Sequence, residues 1–103
     1  MAQNLPETEA TRKGDGFTGR VFSSASGTEV VLLELAAGKA LATHTTKVDV
    51  IFYALEGTAM ISVGDAEIPA RAGSILDSPK GIPHGMRNTG TGPFRVLVIK
   101  LPA

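Results

Sequence analysis

Apolar residues fall along this chain in short blocks rather than at helical spacing. Residues 28–35 (TEVVLLEL) form a nearly unbroken apolar run, and 48–55, 58–63 and 94–101 form three more. Runs of this length bounded by turn residues predict strands. The stretch LLELAAGKALA contains good helix formers, but the paired valines at its start and the interruption at Gly38 favour a strand over 28–35 followed by a loop over 38–46. Residues 17–22 read as a first strand. Gly64-Asp65 reads as the hairpin turn between 58–63 and 66–70, and Pro69 confines the latter to a sheet edge or strand end. Ser74-Ile75-Leu76 reads as a short buried strand, and 84–88 as an alternating one. No stretch carries a helical stripe, so the predicted fold is all-β: an antiparallel barrel or sandwich with at most a turn or two of helix.

Two of these strands are apolar on both faces. In 94–101, Phe94, Val96 and Val98 share one face and Leu97, Ile99 and Leu101 the other. One face fills a barrel, and the other requires a cover that no helix supplies. A second subunit is the simplest cover, which predicts a homodimer. Residues 1–16 are polar and read as a loose N-terminal arm, leaving 17–103 as a single domain.

Composition narrows the function. The chain has 103 residues, ten Lys plus Arg against ten Asp plus Glu, and no cysteine. With no basic stripe, nucleic acid is not an expected partner. Without cysteine there is no thiolate chemistry and no thiolate metal ligand. No run approaches a membrane span and no signal sequence opens the chain, so a cytoplasmic location is expected.

The most informative stretch is GSILDSPKGIPHGMRN, residues 73–88. A turn with two prolines and a glycine delivers His84 to the start of a strand, where His84, Met86 and Asn88 share one face. Gly73, five residues, Pro79, one, Gly81, two, His84, three, Asn88 resembles the second motif of the cupins in full. The first cupin motif is met in part: Gly38, five residues, His44, and later Gly57. Thr46 stands where the family has a second histidine, and Val50 where it has a glutamate. The resemblance spans roughly residues 28–101. It implies a cupin-type jelly roll, or double-stranded β-helix, with the ligand set of a divalent metal reduced to His44 and His84.

Thr46 and Val50 offer a transition metal little or nothing. Asp49 is one residue out of register, which in a strand means the opposite face. Two imidazoles alone would hold Zn, Ni, Cu or Fe weakly. The resemblance thus implies a pocket lined by His44, Thr46, Val50, Phe52, Met60, Asp77, His84 and Met86. An inward Asp77 would orient His84; otherwise it caps a turn at the rim. Three functions follow. The first is a binding module for a small organic molecule. The second is a metal-free acid/base enzyme using His44 or His84, as in epimerase-like cupins. The third is a metal-dependent dioxygenase or isomerase with a weak metal.

Overall fold

Alternation along the strands decides what the barrel encloses. The computed structural model describes residues 2–103. Its strands are β1 (Arg12–Gly14), β2 (Phe17–Ser23), β3 (Glu29–Leu35), β4 (Ala40–His44), β5 (Val50–Glu56), β6 (Thr58–Val63), β7 (Ala66–Arg71), β8 (Ile75–Ser78), β9 (His84–Asn88) and β10 (Phe94–Lys100). They form an antiparallel sheet of order β1-β2-β3-β10-β5-β8 and a second of order β4-β9-β6-β7. The two pack face to face as a jelly roll. The one helical element among the described residues is a 3₁₀ turn, Leu5–Glu7.

The core lies between the sheets. Leu35, Phe94, Val96, Phe52 and Val50 come from the six-stranded sheet and Ile61 from the other, and all are essentially inaccessible to solvent. Burying such side chains contributes about 1.5–3 kcal/mol each, an upper bound because the unfolded chain already hides some surface. Pro69 lies on β7, an edge strand, where its missing N–H costs no ladder bond. Gly57, between β5 and β6, has φ of +84°, and a Cβ there would lie 2.3 Å from the Pro93 carbonyl oxygen. Only glycine fits that turn.

Three sequence expectations need correction. Residues 40–44 are a strand rather than part of a loop. The segment is an edge strand with four of its five residues exposed, so it carries no apolar alternation. The N-terminal arm is not loose: β1 pairs with β2 from Arg12↔Gly19 to Gly14↔Phe17, and Gln3 Nε2 donates to the Val21 carbonyl at 3.0 Å. Met1 of that arm lies outside the described residues. Ile75 is not buried but 67% exposed, because β8 is the other edge of its sheet.

Candidate functional site

The turn ahead of His84 is tied down on all sides. Asp49 Oδ1 accepts from the Lys80 amide at 2.9 Å, the Thr46 carbonyl accepts from the Gly81 amide at 2.9 Å, and the Pro83 carbonyl accepts from the Gly64 amide at 2.8 Å. These bonds join the turn to the loop before β5 and to the β6–β7 hairpin. His84 therefore enters β9 from a fixed point. It sits directly opposite His44 on β4 and Val63 on β6. Gly85 follows, and a side chain there would press on the Leu41 carbonyl and the Thr43 backbone at 3.0–3.2 Å. Its absence lets β4 bend close against β9 where the register shifts between Leu41 and His44.

The two imidazoles meet edge to face, with ring centroids 4.7 Å apart and planes at 78°. Phe52 packs on His84 in the same manner at 5.3 Å. His84 is buried, whereas His44, at the end of β4, is exposed and stands at the rim. Ser78 Oγ lies 2.9 Å from His84 Nδ1 and is fully buried. Burial, then the neighbouring His44, then Lys100 push the His84 pKa below its ordinary value.

Beside this pair is a cavity of about 320 Å³. Val31, Leu33, Phe52 and Val98 wall it from one sheet, Leu41 and Met86 from the other. His44 and His84 stand on its wall, and Arg12 and Lys100 line it as well.

Of the expected pocket residues, the structure brings His44, Phe52, His84 and Met86 together around this cavity. The other four stand apart. Val50 faces inward but is sealed in the core. Thr46 turns its hydroxyl to the Val48 carbonyl at 2.8 Å. Met60 alternates with the core residues Ala59 and Ile61 and so falls on the outer face of its sheet. Asp77 is exposed on the outer face of β8, opposite Ile51. The partner of His84 is the next residue, Ser78. Asn88, the last residue of the second motif, is structural: its amide donates to the Leu35 and Gly92 carbonyls and its oxygen accepts from the Gly90 amide.

Arg12 escaped the sequence reading because it reaches the site through pairing with β2, Lys100 because it ends an apolar strand, and the Ser78 bond because it turns on a one-residue register. Ser78 alone left a trace, as a hydroxyl where a strand enters a buried turn.

The donor set does not fit a tightly held metal. Among the described residues no group of three His, Cys, Asp or Glu side chains comes together, and the two imidazoles stand without a third ligand.

The family model described as "Cupin domain" matches residues 31–100. No protein with a curated description matches the chain significantly. Among solved structures, the chain is similar to TT1209 from Thermus thermophilus, with 27% identity, a TM-score of 0.83, and coverage of 98% of this chain and 96% of that one. It is also similar to an RmlC-like cupin from Shewanella frigidimarina, with 18% identity, a TM-score of 0.86, and coverage of 98% and 89%. Oxalate decarboxylase of Bacillus subtilis, a protein with Mn(II) centres, shares the fold at 19% identity and a TM-score of 0.83. The match covers 95% of this chain and 29% of that one.

Proposed function

The chain belongs to the cupin family, and we propose that its barrel binds a small organic molecule. The cavity supports this reading: an apolar space with two imidazoles set on one side of it. Small-molecule sites have this make-up, apolar walls for affinity and a few placed polar groups for orientation. Native mass spectrometry of the untagged protein, with elemental analysis alongside, tests it. A retained organic molecule lost on His84→Phe is the expected result. An empty protein that no member of a small-molecule library stabilises against heat would overturn it.

A metal-free acid/base enzyme is the second reading, favoured by the buried Ser78–His84 bond. It holds one imidazole in a fixed orientation beside the cavity, as general acid/base groups require. Deuterium incorporation from solvent into candidate carbon acids, abolished by His84→Phe, is its signature.

We also propose that the working unit is a homodimer. The outer face of the six-stranded sheet supports it, carrying the half-buried Val30, Leu97, Ile99 and Ile51 and the exposed Tyr53 in cross-strand rows. An apolar face of this breadth has the character of an interface.

A further inference from the structure

The ionisable side chains on the cavity wall are all of one kind. Arg12, His44, His84 and Lys100 line it, and among the described residues no carboxylate does. Two of the four are cations by nature. Register explains how they come to face inward. Lys100 lies two residues beyond Val98 on β10, and Arg12 lies opposite Gly19, whose other neighbour in the sheet is Leu33. Val98 and Leu33 belong to the core, so both cations share the core's face of the sheet.

One carboxylate, Glu29, stands behind them. Both its oxygens accept from the Arg12 guanidinium, at 2.7 and 3.0 Å, and its Oε1 lies 3.4 Å from the Lys100 ammonium. The pairing is unequal. Arg12 commits its fork to Glu29, whereas Lys100 gives it one long contact and keeps further N–H donors free. Two cations against one carboxylate leave one surplus positive charge beside an apolar space. A cationic ligand would meet repulsion there, and a neutral one would desolvate the ammonium without replacing its water.

Resting on the reading of this barrel as a small-molecule binder, we propose that its ligand is a small organic anion, a carboxylate with an apolar body. Lys100 anchors the carboxylate. Arg12, carried on the N-terminal strand β1, closes over the mouth and holds Glu29 aside. The apolar body lies against Phe52, Leu41 and Met86, and the imidazoles orient it. The N-terminal arm is thereby part of the site.

The test is a nuclear magnetic resonance titration with two matched pairs, benzoate with benzamide and hexanoate with hexanamide, followed at the Met86 methyl and the His84 ring. The acids should bind about tenfold or more tightly than their amides, the scale of a hydrogen bond to a charged group. Raising the salt from about 20 to about 500 mM should narrow that preference, because the mouth is open to screening. Lys100→Met, which keeps the stem and removes the charge, should abolish the preference by weakening the acids, while the amides, relieved of desolvating an ammonium, bind no more weakly than before. Glu29→Gln, which removes the competing carboxylate, should tighten the acids. Amides that bind as well as acids, or a Lys100→Met protein that keeps the preference, overturn the anion assignment and leave the barrel a binder of neutral molecules. If none of the four probes moves a cavity resonance, the anion assignment falls; the small-molecule reading falls with it only where the thermal-stability library also finds no ligand.

Discussion

Ser78 Oγ and His84 Nδ1 stand 2.9 Å apart, both side chains buried, at the two ends of the Pro79–Pro83 turn. The serine has one hydrogen to give. Its other acceptor, the Ile82 carbonyl, is 3.5 Å away, at the limit of a hydrogen bond. A hydroxyl that gives its proton to Ile82 leaves Nδ1–H as the donor to Ser78, whereas one that gives it to the nearer Nδ1 puts the hydrogen of neutral His84 on Nε2; the shorter distance favours the second. Long-range proton–nitrogen correlation spectra should show this Nε2–H tautomer at neutral pH. Ser78→Ala should release it and cost about 1–3 kcal/mol in urea unfolding, the range for leaving a buried polar atom without its partner. An unchanged tautomer in the variant would mean that Ser78 does not set it.

The environment of His84 also fixes the sign of a pH effect. Burial, His44 and Lys100 favour its neutral form in the folded state. As pH falls below about 6.5, the unfolded chain takes up this proton before the folded protein does. The stability associated with His84 is therefore complete above that pH and is lost as the solution is acidified. Urea midpoints should fall from pH 8 to pH 5, and His84 should titrate below a free histidine by NMR. A midpoint that rises with acid would contradict the assignment.

Gly57→Ala should be among the more damaging single-methyl additions in this chain. The new Cβ would meet the Pro93 carbonyl oxygen at 2.3 Å while holding a left-handed φ. Left-handed backbone alone costs a non-glycine residue about 1–3 kcal/mol, and moving the turn adds to it. A loss of at least about 2 kcal/mol in denaturant unfolding is expected. Gly73→Ala, where a Cβ meets nothing within 4 Å, isolates the backbone part.

Local chemistry and side-chain period account for what the chain reveals before folding. The buried strands β3, β5 and β10 are legible because their apolar residues have nowhere else to go. The edge strands β1 and β4 are not, because a strand exposed along its length needs no apolar alternation. The same division holds at the site. His84 is announced by the proline and glycine turn beside it in sequence. Ser78 is placed by a single-residue register that exchanges it with Asp77, and one residue is the whole difference between facing in and facing out. Arg12 reaches the cavity only through pairing with β2, which its own sequence, RKG, does not encode.

The outer face of the six-stranded sheet should mediate dimerisation. Ile75 is 67% exposed and Tyr53 38% exposed on neighbouring strands of that face. Neither supports the core, so Tyr53→Glu with Ile75→Lys should leave the fold intact and separate the subunits. Multi-angle light scattering should read a dimer for the parent at micromolar concentration and a monomer for the variant. A parent that is already monomeric would remove the interface.

Metal affinity should be limited by the missing third ligand, and Val50 is the position that tests this. It is fully buried and faces inward directly opposite Ser78, the hydrogen-bond partner of His84. Val50→Glu would put a carboxylate on the inner face between Ser78 and Lys100, on the side from which Ser78 reaches His84. Without metal that carboxylate is buried and only partly compensated by the Lys100 ammonium, so it costs stability or is neutralised through a raised pKa. The variant should therefore melt below the parent in chelator. With zinc or nickel it should recover, since a ligand bound only by the folded state at a hundred times its dissociation constant adds about 2.7 kcal/mol. The parent should gain much less, having two imidazoles and no carboxylate to offer. Thr46→His is the less direct probe, because it also breaks the bond from Thr46 Oγ1 to the Val48 carbonyl. Thermal melting of parent and Val50→Glu, with chelator and with a slight excess of metal, decides the matter. Equal metal-induced shifts would show that Val50 does not face the imidazoles, or that the parent binds metal through donors other than these two histidines.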